Sequence, residues 1–280
     1  MKLAVESYVP VLHYGLEKGL AMIKDAGFDA VDFTFYYENT ATHLSGDYIK
    51  KAYEIRDCIA ATGLSCSQAH APFTFTYGKK EDESEPAFLN IKKSIEAAGI
   101  IGVDHIVIHG FSVPEGNLSE ESVMAAYTHL SAFTECARKA GVKISIENLS
   151  ASLTRPEQYI RCYEMLDPDV FTCLIDIGHV WLHTGESPAG FIKSLKPGLL
   201  TGLHVHDNHG FGSKDEHILP GMGTLPYKEV TDALAEYGYA GDLTMELGGY
   251  LKMYAPELLP EALVFAEKVG RNLIAQIESH

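Results

Sequence analysis

Short apolar runs and longer amphipathic segments alternate along the whole chain. The apolar runs are three to six residues long and rich in β-branched side chains, which is typical of buried strands. The longer segments place apolar residues at helical spacing, and several of them end in glycine, as helix C-termini often do. This alternation indicates repeated β–α units with parallel strands.

The pattern predicts eight strands. They are the segments 3–5, 30–35, 65–69, 105–109, 143–147, 171–176, 203–206 and 243–246. The clearest helical segments are 15–27, 86–102, 121–141 and 256–279. A unit of helix end, glycine and strand recurs between them, and eight such units without a linker fit a closed barrel better than an open solenoid. We therefore expect an α/β fold in which residues 1–280 form a single (β/α)8 TIM barrel domain.

Composition narrows the classes of function. Of the 280 residues, 46% are hydrophobic and 21% are charged, which excludes a globally disordered chain. The net charge of −16 disfavours nucleic acid and anionic membranes as partners. No apolar run approaches the ~20 residues needed to span a bilayer, and the start of the chain lacks a secretory signal, so a cytoplasmic protein is expected. The five cysteines are scattered without a CxxC pair, which is typical of small buried hydrophobes rather than metal ligands.

Ionisable side chains close six consecutive predicted strands. The C-terminal ends of barrel strands meet at one mouth, so we expect these side chains to converge. A carboxylate at the end of an apolar strand is costly unless it is paired or binds a metal. Mixed carboxylate and imidazole ligands suit a divalent Mn, Mg, Co or Zn ion, whereas the lack of thiolates argues against a structural zinc site. The six residues are His70, His109, Glu147, Asp176, His204 and Glu246.

Motifs along nearly the whole chain resemble those of the xylose-isomerase-like TIM barrels. They are HAPF (70–73), IEN (146–148), DIGH (176–179), HVHDN (204–208), DEHILPGMG (215–223) and MEL (245–247). That family includes sugar epimerases, sugar isomerases, inosose dehydratases and abasic-site nucleases of the endonuclease IV type. The resemblance implies one catalytic metal on Glu147, Asp176, His204 and Glu246. In the nuclease branch a three-zinc cluster uses further ligands, and the matching positions here are His70, His109, His179, Asp215 and His217.

Three local signatures depart from the nuclease branch. Its members usually have Pro-Gly after the histidine of strand four, Glu-Asn-Thr-Ala-Gly at strand five and Asp-Thr-Cys-His at strand six. Here the chain has His109-Gly110, then Glu-Asn-Leu-Ser from Glu147, then Asp-Ile-Gly-His from Asp176. We therefore expect a metal-dependent isomerase or epimerase acting on a small sugar, sugar phosphate or related polyol ketone. An abasic-site DNA nuclease with a zinc cluster and an inosose-type dehydratase are the alternatives.

Glu147 and Glu246 are predicted to be catalytic as well as metal-binding. They lie on strands three places apart in the barrel, so their carboxylates can reach opposite faces of a substrate. One would remove the proton beside a metal-polarised carbonyl and the other would return it. Two points stay open: His179 either contacts the substrate or supports Asp176, and His206 could replace His204 as a ligand.

The expected partners are a small sugar and a divalent metal ion, without nucleic acid or membrane. Phe73, Phe111 and Trp181 follow three of the strands and are candidate walls of the sugar site. The charged stretch 78–85 is expected to be an exposed loop or lid. The identity of the sugar and of the metal, the choice between a monomer and a homo-oligomer, and binding without turnover stay open.

Overall fold

The computed structural model describes residues 1–36, 41–72, 85–109, 120–149 and 153–279. Within these residues, eight parallel strands close into a barrel in chain order, and the last strand pairs with the first. The strands are β1 (Leu3–Glu6), β2 (Ala30–Thr34), β3 (Ser65–His70), β4 (His105–His109), β5 (Lys143–Glu147), β6 (Phe171–Asp176), β7 (Leu200–Val205) and β8 (Leu243–Met245). The predicted α/β barrel is confirmed.

Helices surround the strands on the outside of the barrel. They are α1 (Tyr8–Asp25), α2 (Tyr48–Thr62), α3 (Pro86–Ile101), α4 (Glu120–Ser131), α5 (Thr134–Ala140), α6 (Pro156–Met165), α7 (Ile177–Thr184), α8 (Pro188–Ser194), α9 (Tyr227–Tyr237), α10 (Gly248–Leu251) and α11 (Leu259–Glu278). Short 3-10 turns occupy Thr42–Leu44 and Pro256–Leu258. Among the helices described, none is both apolar and long enough for a membrane span.

Three helices differ from their predicted bounds by more than one residue; in the segment 256–279 the 3-10 turn Pro256–Leu258 precedes α11. The segment 121–141 is divided into α4 and α5, because Phe133 turns inward between them and packs with its ring 4.7 Å from that of Phe88. The helix predicted over 15–27 begins seven residues earlier, since α1 continues through a kink at Gly15. Gly15 has φ +76°, a conformation that glycine adopts without the steric cost borne by other residues.

The two faces of each strand have different environments. On β4, Ile106 and Ile108 face outward and belong to the apolar core between barrel and helices. His109 lines the cavity at the barrel mouth, and His105 and Val107 share its inward face because side chains alternate along a strand. The apolar core therefore lies outside the barrel, while its interior carries polar groups toward the mouth.

Acid is expected to destabilise the fold through His105. This side chain is 7% exposed, its Nδ1 lies 2.7 Å from Ser145 Oγ, and burial lowers its pKa from 6.5 to about 4. The unfolded chain then binds a proton that the folded chain excludes, so this contribution destabilises the fold progressively as pH falls from about 6.5 toward about 4. We expect His105 to account for about 2 kcal/mol of stability lost between about pH 7 and about pH 4.5.

Urea unfolding of the wild type and of His105→Asn at the two pH values measures this effect. The variant should lose less stability on acidification than the wild type does. His13→Asn, on an exposed position of α1, is the matched control and should keep the wild-type pH dependence. Equal acid sensitivity in all three proteins would rule out His105 as a source.

Candidate metal centre and active site

The C-terminal ends of the strands enclose a cavity of about 590 Å³. Seven of the nine predicted metal-ligand positions line it, and the other two, Asp176 and His204, are completely buried. The lining positions are His70, His109, Glu147, His179, Asp215, His217 and Glu246. The structure thus brings all nine predicted side chains to one end of the barrel.

Four of these side chains form a central cluster, defined as Glu147, Asp176, His204 and Glu246. One ligand atom from each lies within 4.8 Å of the others. His204 Nδ1 is 3.4 Å from Glu246 Oε2, 3.7 Å from Glu147 Oε1 and 3.9 Å from Asp176 Oδ2. A small divalent ion with bonds of about 2.1 Å sets its ligands about 3 to 3.5 Å apart. The central cluster is therefore close to the dimensions of a metal site.

Two atoms in the central cluster have no hydrogen-bond partner although they are buried. They are Asp176 Oδ2 and His204 Nδ1. Buried polar atoms without partners cost free energy, and a bound cation would satisfy both at once. Three carboxylates with one imidazole form a donor set suited to ions such as Mn²⁺ or Mg²⁺. The residues present therefore fit a divalent metal.

The IEN and DIGH motifs hold Asp176 in place. Asn148, after β5, accepts a 2.6 Å hydrogen bond from the backbone N–H of Asp176 and donates one of 3.0 Å to its carbonyl. Asp176 Oδ1 caps α7 by accepting from the backbone N–H of His179 at 2.8 Å. A side chain on Gly178 would collide with the ring of His206, so glycine permits this close packing. The N-terminus of α7 thereby positions Asp176, His179 and His206 together.

Three further groups of potential ligands adjoin the central cluster, and one of them, His70, His204 and Glu246, shares two members with it. The other two flank it. In the first, Glu147 Oε2 lies 2.8 Å from His109 Nε2 and 3.4 Å from His70 Nε2. In the second, which also includes His206, Asp215 lies 3.3 Å from His179 Nε2 and 3.2 Å from His217 Nε2. Glu147 belongs to both the first group and the central cluster, and His179 Nδ1 of the second group lies 3.0 Å from Glu147 Oε1, so the nine predicted positions form a continuous array.

The loop that carries Asp215 and His217 is anchored by Asp207. The Asp207 carboxylate accepts backbone N–H bonds of 2.9, 3.0 and 3.1 Å from Gly221, Gly223 and Leu225. His217 has φ +45°, a strained conformation for a residue with a Cβ. The buried carboxylate thus supports a strained loop whose side chains reach the cavity.

Comparison with known families agrees with this architecture. The family model described as xylose isomerase-like TIM barrel matches residues 20–268, which contain β2 to β8. The chain belongs to this family. The match includes every strand that carries one of the predicted metal-ligand side chains.

Individual relatives in the xylose isomerase-like family share modest identity with the chain. An uncharacterised protein of Methanocaldococcus jannaschii is 29% identical, over 88% of this chain and 83% of its own length. An inosose isomerase of Halalkalibacterium halodurans is 22% identical, over 67% of this chain and 66% of its own length. The solved structure of a D-tagatose 3-epimerase-like protein superimposes with a TM-score of 0.77 at 24% identity, covering 100% of this chain and 99% of that one.

The two glutamates of this xylose isomerase-like site differ in proton affinity. Burial raises the pKa of Glu246 to about 7, against the opposing effect of His204 and His217. Burial would also raise the pKa of Glu147, but His109, His179 and His204 lower it well below its ordinary value. One carboxylate is therefore held ionised while the other can bind a proton near neutral pH.

The histidines around the two glutamates also differ in pKa, because their surroundings differ. Burial lowers the pKa of His109 to about 4 despite the nearby Glu147. Burial would lower the pKa of His217 as well, but Asp215 and Glu246 raise it to about 10. Neutral and charged imidazoles thus face the same cavity.

Sequence reasoning missed three polar residues on the first strands. Glu6 lines the cavity with its Oε1 buried and without a hydrogen-bond partner, and burial raises its pKa. Asp32 and Gln68 lie in the barrel interior beside His204. The available signal was a carboxylate within each of two short apolar strands, LAVE (3–6) and AVDFT (30–34).

The structure places three residues whose roles the sequence leaves open, namely His179, His206 and Trp181. The central cluster includes His204, whereas His206 groups with His179, Asp215 and His217, and its Nε2 lies 3.1 Å from Asp176 Oδ1. His179 Nδ1 lies 3.0 Å from Glu147 Oε1, so this side chain contacts the cluster as well as the cavity. Trp181 donates to Thr224 Oγ1 at 3.1 Å and is not among the described residues that line the cavity.

Some predicted positions cannot be compared with the structure. Phe73, Phe111 and the segment 78–84 lie outside the described residues. Among the described residues, the aromatic side chains at the cavity wall are instead Tyr8 and Tyr36, which follow β1 and β2. The described aromatic wall therefore comes from strands that supplied none of the predicted ligands.

Proposed function

We propose that this chain is a divalent-metal-dependent isomerase or epimerase acting on a small polyhydroxylated ketone or aldehyde. The central cluster carries this proposal, because its three carboxylates and one imidazole converge and leave buried atoms for a cation. The D-tagatose 3-epimerase-like structure and the inosose isomerase relative support a sugar or cyclic polyol ketone as substrate. A metal held by this cluster supplies a Lewis acid that polarises a substrate carbonyl.

Proton transfer is assigned to Glu147 and Glu246. They end β5 and follow β8, three strands apart, and both line the cavity. The ionised Glu147 can accept the proton next to the carbonyl, and Glu246 can hold or release one near neutral pH. A proton given by the other glutamate to the opposite face of the same carbon yields an epimer. A proton given to the neighbouring carbonyl carbon yields an isomer, provided that the adjacent hydroxyl proton moves to the carbonyl oxygen. Loss of a β-hydroxyl after the same abstraction would make the enzyme a dehydratase.

The charge of the cavity favours an unphosphorylated substrate. Five carboxylate side chains line it, and among the described residues Lys252 is the one lysine or arginine that does so. Its Nζ lies 3.1 Å from Tyr8 Oη and 4.3 Å from the centre of the Tyr8 ring, so its charge is already in contact with an aromatic face. The carboxylates are Glu6, Glu147, Asp215, Glu216 and Glu246. A substrate phosphate would be repelled by these carboxylates, with the charged His217 and a bound cation offsetting part of the repulsion, whereas hydroxyl groups could donate to the carboxylate oxygens.

Metal content and proton exchange together test the proposed function. We expect about one divalent ion per chain in protein purified without chelators. In heavy water, deuterium should enter the carbon beside the carbonyl of an accepted ketose or inosose, and chelation should stop the exchange. Protein that contains no divalent ion and exchanges no proton in any ketose, sugar phosphate or inosose would refute the proposal.

A second candidate function follows from the two flanking ligand groups. With the nine predicted ligand side chains and His206 in one array, the site has donors for more than one ion, as an abasic-site nuclease of this family would require. That function predicts two or three zinc ions per chain and cleavage of an abasic duplex. The acidic cavity opposes it, because binding of DNA depends on neutralising phosphates with lysine and arginine.

A further inference from the structure

A polar network supports His204 from the side away from the central cluster. Gln68 Nε2 lies 2.8 Å from Asp32 Oδ2 and 2.8 Å from His204 Nε2. Asp32 Oδ2 is in turn 3.6 Å from His204 Nε2. All three side chains are at most 3% exposed, so water does not compete for these contacts.

The two ring nitrogens of His204 face different surroundings. Nδ1 faces the carboxylates of the central cluster, and Nε2 faces Asp32 and Gln68. A metal ligand must offer a bare Nδ1, so the ring proton must then sit on Nε2. In that form Nε2–H needs an acceptor, and the Gln68 Nε2 amide can only donate. Among the described residues, Asp32 has the one carboxylate within 4 Å of Nε2, and a shift of a few tenths of an ångström from its 3.6 Å would let it accept this proton.

The opposite tautomer would block the site. With the proton on Nδ1, Gln68 donates to a bare Nε2 at 2.8 Å, and Nδ1–H points at the position a metal would take. Asp32 and Gln68 therefore favour different tautomers of the same ring.

Apart from the hydrogen bond that Gln68 donates to Oδ2, the buried Asp32 carboxylate has little to balance its charge. Among the described residues, His204 is the one basic side chain with which it forms an ion pair, and its Oδ1 is buried without a hydrogen-bond partner. A carboxylate so placed, 1% exposed within an apolar strand, is costly to bury. It is accounted for if its charge is needed by His204.

We propose that Asp32 is a positioning residue that selects the metal-binding tautomer of His204, with Gln68 as the competing partner. This inference rests on the proposed function, since it concerns the same metal site. Loss of an acceptor behind a metal-binding histidine weakens metal affinity by about 10- to 100-fold. We expect a loss of that size for Asp32→Ala and a smaller one for Asp32→Asn, because the Asn amide oxygen can still accept the Nε2–H.

The test measures Mn²⁺ affinity from the electron paramagnetic resonance signal of free Mn²⁺, without any substrate. Gln68→Met is the matched control: it removes a neighbour of His204 but leaves the carboxylate, so Mn²⁺ should bind within about threefold of wild type or more tightly. Thermal unfolding of the metal-free wild type and variants then measures the effect of each substitution on the stability of the fold. Metal-free Asp32→Asn should unfold at or above the wild-type temperature, since the substitution removes a buried charge.

The outcomes separate this inference from the proposed function. Unchanged Mn²⁺ affinity in Asp32→Ala and Asp32→Asn, or an equal loss in Gln68→Met, would overturn the role of Asp32 while leaving the metal site intact. Wild-type protein that binds no Mn²⁺, Mg²⁺, Co²⁺ or Zn²⁺ would instead overturn the proposed function, and this inference with it.

Discussion

Replacement of Glu246 with glutamine is expected to reduce turnover by about 10²- to 10⁴-fold while metal remains bound. The amide keeps the size of the side chain and one oxygen that can ligate, but it cannot take up and return a proton. In the metal-free protein burial raises the pKa of Glu246 to about 7, so this carboxylate binds a proton more readily than Glu147, whose pKa is lowered. The loss should therefore appear in kcat and in deuterium exchange.

The companion variant Glu147→Gln should also lose turnover, for two reasons. Glu147 is an acid–base candidate, and it belongs to the central cluster as well as to the group formed with His70 and His109. We expect its metal content to fall further than that of Glu246→Gln. Elemental analysis and kcat on the same preparations distinguish the two effects.

A glutamate away from the cavity provides the control. Glu229 is exposed on α9, so Glu229→Gln should keep both turnover and metal content. Full turnover in both Glu147→Gln and Glu246→Gln would show that proton transfer belongs to other groups. Glu6 would then be the first to examine, because it lines the same cavity with an unpartnered oxygen.

The barrel itself was predictable because each strand leaves a local signal. All eight predicted runs are strands in the structure, and β7 differs most, beginning at Leu200 rather than Leu203. Leu200 pairs with Cys173 on β6, and that pairing is a tertiary contact that local periodicity does not report. Strand existence thus depends on short apolar runs, whereas strand ends depend on the neighbouring strand.

The meeting of the ligand side chains at the barrel mouth follows from the parallel order of the predicted strands. Each ligand that ends a strand, such as His109 on β4 or Asp176 on β6, is placed by the parallel order. Asp215 and His217 are different, because they lie on a loop held by the buried carboxylate of Asp207. Their placement was expected from motif resemblance, since no periodic pattern fixes the path of a loop.

The sequence analysis missed the polar residues Glu6, Asp32 and Gln68 of β1 to β3, because their partners are distant in the chain. Closure of the barrel places β1 beside β8, which brings Glu6 to the same cavity as Glu246 although 239 other residues separate them in the chain. Asp32 and Gln68 contact His204 across the barrel interior, and only this contact indicates a role for them. Contacts across the interior are set by strand tilt and register, which a single sequence does not reveal.

Divalent metal is expected to stabilise the fold strongly. The central cluster places three carboxylates around one imidazole, and each is less than a tenth exposed, so their mutual repulsion is poorly screened in the metal-free protein. An ion that binds only the folded chain stabilises it by about 4 kcal/mol at a thousand times its dissociation constant. For a chain of 280 residues this corresponds to a rise in Tm of about 7 °C.

Thermal unfolding after chelation and dialysis, with Mn²⁺, Mg²⁺, Co²⁺ or Zn²⁺ added back singly, measures this rise. The ion that gives the largest increase at equal concentration identifies the preferred metal. Asp176→Asn should lose most of the response, because it replaces a completely buried ligand whose Oδ2 has no hydrogen-bond partner. Potassium at matched ionic strength should have little effect, since it cannot replace a divalent ion among three carboxylates. A wild-type Tm that none of the four ions raises would show that the cluster holds no metal, and its buried charges would then have to be satisfied by protonation.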